Sequence, residues 1–133
     1  MADAKMRTER PISPHLTVYR LTLTMAMSIA HRITGVALYF GTLLLVWWLV
    51  AASTSPRNFD LINGFFGTWI GRLVLFGYTW ALFHHMLGGI RHLIWDTGRG
   101  LGEHERNLFA RLTLIGSVSL TIVVWLFGLM LRG

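Results

Sequence analysis

Three long apolar segments dominate the sequence, and each is long enough to cross a lipid bilayer as a helix. They span residues 29–52, 66–95 and 108–131. A hydrocarbon core about 30 Å thick needs about 20 helical residues, and within it helices satisfy every backbone hydrogen bond. Hydrophobic residues make up 53% of the chain and charged residues only 14%, too apolar for a soluble domain of this length. The sequence predicts an all-α membrane protein with three transmembrane helices.

The remaining segments are predicted to connect these helices. Residues 1–28 form an N-terminal segment, residues 53–65 a first loop and residues 96–107 a second loop. Lysine and arginine are more numerous in the N-terminal segment and around the second loop than in the first loop. Because cytoplasmic segments carry the excess of basic residues, we expect a cytoplasmic N-terminus and a periplasmic first loop. No secretory signal peptide is recognisable, which indicates a bacterial or an already processed protein. We expect a multi-pass protein of the bacterial cell inner membrane.

Composition excludes several classes of site. The net charge of +6 is scattered at the ends of apolar segments, so nucleic-acid binding is not predicted. The chain contains no cysteine, which rules out disulfides, thiolate zinc sites and cysteine-ligated iron–sulfur clusters. Histidine is therefore the strong nitrogen ligand that remains.

The first apolar segment carries polar residues near its start. Ser28, His31, Arg32 and Gly35 are spaced three and four residues apart, which places them on one face of a helix. Arg32 alone could extend toward lipid headgroups. A hydroxyl, an imidazole and a guanidinium on one face instead suit an anionic or carbonyl-bearing ligand.

The second apolar segment contains the stretch HHMLGGIRHLIWD at residues 84–96. Helical spacing places His85, Gly89 and His92 on one face, and His84 about 100° away. A lone histidine in a membrane helix usually makes a hydrogen bond to another helix. Small residues around His85 leave a slot for a flat group, which favours His85 as a ligand.

A haem is the metal group that best fits one such histidine. Zinc needs three or four protein ligands, whereas a b-type haem needs only axial histidines and carries propionates that arginine and histidine can bind. His85 precedes Asp96 by 11 residues, about 16 Å along a helix and so near the middle of the membrane. One helix supplies one axial histidine, so we expect a partner chain to supply the other.

Two stretches resemble the signature regions of the cytochrome b subunit of succinate dehydrogenase, the larger membrane anchor of complex II. They are RPISPHLTVYRLTLTMAMSIAHRITG at residues 10–35 and HMLGGIRHLIWDTG at residues 85–98. The family pattern is Arg-Pro, then Ser-x-x-His-Arg-x-Ser/Thr, then His-x-x-x-Gly-x-Arg-His with a following Asp. Every position of this pattern is filled, by Arg10, Pro11, Ser28, His31, Arg32, Thr34, His85, Gly89, Arg91, His92 and Asp96.

The resemblance implies roles for individual residues. His85 matches the axial ligand of haem b, with the opposite ligand supplied by the smaller sister anchor. Ser28 and Arg32 match residues that line the ubiquinone pocket. His31 and Arg32 match groups close to the haem propionates. The resemblance implies no firm role for the signature residues Arg91, His92 and Asp96, and His84 lies off the slot.

The resemblance also implies partners and an activity. The expected partners are the flavoprotein and iron–sulfur subunits, lipid, and the sister anchor, which would complete the helical bundle. The chain is thus expected to be a membrane-anchor subunit of succinate:ubiquinone oxidoreductase that binds haem b and forms part of the quinone site. The alternatives are a quinol:fumarate reductase anchor, a haem-free structural anchor and a small ion-translocating protein.

Overall fold

The computed structural model describes residues 20–132 together with His15 and Val18. In that part of the chain the secondary structure is helical, without strands, and consists of α1 (Leu23–Thr54), α2 (Pro56–Gly67), α3 (Trp69–Asp96) and α4 (Glu103–Arg132). The helices α1, α3 and α4 are long and apolar enough to cross a membrane. The predicted all-α fold with three transmembrane helices is therefore confirmed. The signature residues Arg10 and Pro11 lie outside the described residues.

The first helix is longer than the predicted span and includes Ser28. It begins at Leu23, after the N-cap residue Thr22, whose side-chain hydroxyl accepts a hydrogen bond from the backbone amide of Met25 at 3.4 Å. Threonine is favoured at this position because its oxygen satisfies an amide that has no partner within the helix. The helix ends before Ser55, which is extended because a residue that precedes proline disfavours helical geometry.

A short helix occupies most of the connection predicted at residues 53–65. This helix, α2, starts at Pro56, where the fixed φ angle and missing amide of proline are well tolerated. Phe59, Ile62 and Phe66 are spaced three and four residues apart and form its apolar face. Ile62 is fully buried, and α2 contacts both α1 and α3. The connection is thus helical and packed rather than irregular.

The helices α3 and α4 pack along a seam of small and hydroxyl-bearing side chains, as is common between membrane helices. The buried residues of α4 are Ala110, Thr113, Ser117 and Thr121. Each of the three hydroxyl groups donates a hydrogen bond of 2.7 to 2.9 Å to a backbone carbonyl of α4 itself, so these polar atoms are satisfied away from water. Farther along, the indole nitrogen of Trp125 donates to the hydroxyl of Thr79 on α3 at 3.3 Å.

The helices α1 and α3 run antiparallel and bring the polar ends of their sequences together. His31, in the first half of α1, lies beside His85 and His92 in the second half of α3, and the centroids of these two rings are 4.0 Å and 5.3 Å from that of His31. The side of the membrane on which they lie stays a prediction.

Candidate functional site

His85 projects from α3 against α1. Its imidazole stacks on that of His31, with the two ring planes inclined by 14°, and its Nδ1 atom lies 3.1 Å from the backbone carbonyl oxygen of His31. Because a carbonyl can only accept, Nδ1 carries the proton and Nε2 keeps a free lone pair. The ring is half-buried, and its Nε2 atom has no hydrogen-bond partner within the described residues. The arrangement leaves a nitrogen ligand available beside α1.

Two glycines allow the histidine rings to come this close to the helix backbones. A Cβ atom at Gly35 would lie 3.0 Å from Cε1 of His85, and one at Gly88 would lie 2.3 Å from Cδ2 of His31. Each imidazole thus occupies space that a side chain on the opposite helix would fill. His31, His85 and His92 form a histidine cluster, and its close packing against the helix backbones depends on these two glycines.

The two glycines expected to form a slot near His85, Gly88 and Gly89, have different surroundings. Gly88 is covered by the ring of His31, whereas a Cβ atom at Gly89 would meet no atom within 4 Å. Gly89 lies one helical turn beyond His85, so the open space lies on the same face of α3. His92, a further turn along, is exposed. A flat group could approach the α3 backbone at Gly89 without displacing a described side chain.

His31 presents a buried nitrogen to the same region. Its Nε2 atom is buried and has no hydrogen-bond partner in the part of the chain that the structure describes. A buried polar atom without a partner costs free energy on the order of 1–3 kcal/mol. The atom faces the α3 backbone at Gly88, where a Cβ atom would lie 3.0 Å from it.

Ser28 and Arg32 lie on the outer side of α1. Both side chains are exposed, whereas His31 between them is half-buried against α3. Neither makes a side-chain hydrogen bond to another described residue. The two residues are one helical turn apart and face away from the chain, so any pocket that they line must be closed by another molecule.

Arg91 is the most deeply buried charged side chain of the described residues, with 5% of its surface exposed. Its guanidinium carbon lies 5.1 Å from the ring centroid of Trp95, a cation–π contact. The indole nitrogen of Trp95 in turn donates to the carbonyl of Gly100 at 3.0 Å. Asp96 is exposed at the end of α3. Arg91 is thus packed inside the bundle near the end of α3.

His84 lies in the seam between α3 and α4. It is 1% exposed, its Nδ1 atom is 3.4 Å from the hydroxyl oxygen of Ser117, and its ring centroid is 5.1 Å from that of Trp80. His84 thus faces away from the side of α3 that carries His85, as its helical spacing predicts. These contacts give His84 a packing environment that differs from that of its neighbour His85.

The residues present fit a b-type haem better than a simple metal ion. Among residues 20–132, no group of three potential metal ligands is arranged to hold an ion. A haem supplies its own four equatorial nitrogens and needs one imidazole on each side of the iron. The free Nε2 of His85 and the open space at Gly89 meet its needs for a ligand and for room.

A separate apolar groove lies between α1, α2 and α3, and no pattern in the sequence indicates it. Its volume is about 850 Å³, and the residues that line it include Phe40, Leu44, Trp48, Phe66, Leu75 and Tyr78. At its edge the indole nitrogen of Trp48 donates to the side-chain oxygen of Asn63 at 3.1 Å. The groove depends on the position of α2, and the sequence pattern predicts a loop rather than a helix in that segment.

Comparison with known proteins gives a consistent result. The family described as succinate dehydrogenase/fumarate reductase transmembrane subunit matches residues 6–124. The succinate dehydrogenase cytochrome b556 subunit of Paracoccus denitrificans is 46% identical over 123 residues, which cover 92% of this chain and 94% of that protein. The corresponding subunit of Rickettsia conorii is 38% identical over 117 residues, which cover 88% and 91%.

A mitochondrial protein shows the same relationship. The succinate dehydrogenase cytochrome b560 subunit of Sus scrofa is 41% identical over 104 residues, which cover 74% of this chain and 60% of that protein. The two signature stretches, the three apolar helices and these similarities agree. The chain belongs to the family of succinate dehydrogenase/fumarate reductase transmembrane subunits.

Proposed function

We propose that this chain is a membrane anchor of succinate:ubiquinone oxidoreductase that binds haem b through His85 and lines part of the ubiquinone reduction site with Ser28 and Arg32. A second, smaller anchor subunit would supply the opposite axial histidine. The flavoprotein and iron–sulfur subunits would bind at the end of the bundle where α1 begins and α3 ends.

The observation that carries the haem proposal is the hydrogen bond between His85 and the carbonyl of His31. At 3.1 Å it favours the proton on Nδ1 and so leaves the lone pair of Nε2 free for an external partner. Histidine ligands of metals commonly donate their other ring nitrogen in this way. When bound, the haem would supply a one-electron carrier; His85 would hold its iron, and His31 and Arg32 would lie near its propionates.

The quinone proposal rests on the chemistry and exposure of Ser28 and Arg32. The hydroxyl of Ser28 can donate to one carbonyl oxygen of a quinone. The guanidinium of Arg32 stabilises the negative charge that develops on a quinone oxygen during reduction. Because both side chains are exposed on α1, the sister anchor and the iron–sulfur subunit would close the pocket.

The direction of turnover and the orientation in the membrane are part of the same proposal. The family includes fumarate reductase subunits as well, but the relatives compared are named as subunits of succinate dehydrogenase, which favours succinate oxidation. The basic residues Lys5, Arg7 and Arg10 precede α1, whereas Arg57 is the basic residue of α2. This bias favours a cytoplasmic N-terminus, and the soluble subunits would bind on that side.

A reduced-minus-oxidised absorption spectrum of the purified complex tests the haem ligand. We expect the wild type to show a b-type haem band and His85→Ala to lose it, because one axial ligand is removed. His84→Asn is the matched control, because the side-chain amide of asparagine can still donate to Ser117 and His85 is retained.

The two variants separate the possible outcomes. Loss of the band in His84→Asn but not in His85→Ala would reassign the ligand to His84. A wild-type complex without the band would refute haem binding and favour a haem-free structural anchor.

A further inference from the structure

We infer that Thr34 and Gly35 of α1 set the strength of the hydrogen bond from His85 to the carbonyl of His31, and thereby tune the redox potential of the haem. This inference rests on the proposed haem site at His85. It assigns to these two residues a positioning role that is exerted through His85.

The carbonyl oxygen of His31 receives several donors at once. The hydroxyl of Thr34 lies 3.0 Å from it and 2.9 Å from the carbonyl of Ala30, and Nδ1 of His85 lies 3.1 Å from it. In an α-helix the amide four residues farther on, that of Gly35, also points at this oxygen. A carbonyl has only two lone pairs, so each added donor weakens the bonds made by the others.

Thr34 competes with His85 without interference from solvent. Its side chain is only 2% exposed, so its hydroxyl group is confined to the two carbonyl oxygens within its reach. Replacing the hydroxyl with a methyl group leaves no new unsatisfied donor, and it removes one donor from the oxygen that His85 uses. The hydrogen bond from His85 then strengthens.

Gly35 controls the approach of the His85 ring to α1. A Cβ atom at residue 35 would lie 3.0 Å from Cε1 and 3.5 Å from Nδ1 of His85. The first distance is shorter than ordinary contact, so the ring would move outward by a few tenths of an ångström. Such a movement lengthens the bond from Nδ1 to the carbonyl and weakens it.

The hydrogen bond at Nδ1 governs the electron density at the other ring nitrogen. A stronger bond makes the imidazole a more basic ligand, which stabilises ferric over ferrous iron and lowers the midpoint potential; a weaker bond does the reverse. Hydrogen bonding of this kind is one of the levers by which a protein sets haem potentials. Thr34 and Gly35 therefore act in opposite directions when they are substituted.

Redox titration of the haem band in the purified complex tests the inference, because it measures the potential rather than turnover. For Thr34→Val we expect the ferric-to-ferrous ratio at a fixed ambient potential to rise two- to tenfold; a tenfold change corresponds to about 59 mV for one electron. Thr42→Val is the matched control. It removes a hydroxyl that donates in the same way to the carbonyl of Leu38 at 2.7 Å, and it should leave the ratio unchanged.

Gly35→Ala should shift the ratio in the opposite direction, with Gly77→Ala as its control because a Cβ atom there meets no atom within 4 Å. If Gly35→Ala fails to assemble, the comparison of Thr34→Val with Thr42→Val decides. An unchanged potential in Thr34→Val, or an equal shift in Thr42→Val, would overturn the inference while haem binding itself stands. A wild-type complex without haem would instead refute the proposed function.

Discussion

His31 packs directly against the backbone of Gly88, across the contact between α1 and α3. A Cβ atom at residue 88 would lie 2.3 Å from Cδ2 and 3.0 Å from Nε2 of the imidazole, so no side chain can be added there without moving the ring. The same ring stacks on His85 at a centroid distance of 4.0 Å. The position of the histidine cluster therefore depends on the absence of a side chain at residue 88.

We expect Gly88→Ala to displace His31 and to destabilise the contact between α1 and α3 by about 1–3 kcal/mol, the usual cost of overpacking. Thermal unfolding of the purified complex, followed by loss of haem absorbance, measures the effect. Gly77→Ala on the same helix adds a methyl group in open space and should not lower the stability. Equal stability of the two variants would contradict the packing described for Gly88.

Substitution of the exposed α1 residues should impair quinone reduction selectively. A hydrogen bond to a charged group contributes about 1.5–3 kcal/mol, so we expect Arg32→Leu to lower ubiquinone reduction by roughly tenfold or more. For Ser28→Ala the loss should be smaller, about two- to tenfold, because the bond is uncharged. Succinate oxidation with a soluble artificial acceptor should persist in both variants.

The matched control for Arg32→Leu is Arg72→Leu, which removes an exposed arginine near the start of α3. This variant should reduce ubiquinone at the wild-type rate. A parallel fall of both activities in Arg32→Leu would indicate defective assembly and would contradict a role for Arg32 at the quinone.

The pair formed by His84 and Ser117 should contribute to stability without affecting the haem. Interhelical hydrogen bonds in membranes average about 0.6 kcal/mol and reach about 1.7 kcal/mol. A double-mutant cycle of His84→Ala and Ser117→Ala, measured by thermal unfolding, should give a coupling energy in this range. Because His84 is buried on the α4 side, the haem spectrum of the single variants should match that of the wild type. A coupling energy of zero would show that the pair is merely adjacent.

Arg91→Lys should destabilise the bundle even though the charge is kept. The planar guanidinium of Arg91 stacks on Trp95, and a lysine ammonium does not reproduce that geometry. A desolvated cation–π contact contributes up to about 2 kcal/mol, so we expect a loss of about 1 kcal/mol in thermal unfolding of the complex. The exposed Arg72 provides the comparison, since Arg72→Lys should be neutral. Similar stabilities for both lysine variants would argue against the stacking contribution.

Much of the architecture could be predicted because the membrane leaves few choices. A long apolar segment must be helical in lipid, and helical spacing then separates His85 and Gly89 from His84. The antiparallel order of the spans also predicts that the polar residues of α1 lie in the same half of the membrane as His92. These inferences need only the period of the helix and its rise per residue.

Other features depend on backbone atoms or on neighbouring helices, and no residue pattern in the sequence predicts them. The acceptor for His85 is a main-chain carbonyl, which every residue possesses. Ser28, His31 and Arg32 share a broad face of α1, but only the packing of α3 decides that His31 is half-buried while the other two are exposed. The sequence of α2 contains a proline and polar residues that are equally typical of a loop, so the pattern does not predict a helix there.

The early start of α1 at Leu23 has a mechanical consequence. Ser28, His31 and Arg32 belong to one uninterrupted helix rather than to a helix and a flexible leader, so they cannot be displaced independently. A rotation or shift of α1 that adjusts His31 to its surroundings carries Ser28 and Arg32 by the same movement. Within the proposed enzyme, one continuous helix therefore fixes the position of His31 on the haem side relative to Ser28 and Arg32 on the quinone side. A displacement of the helix on one side also displaces the residues on the other.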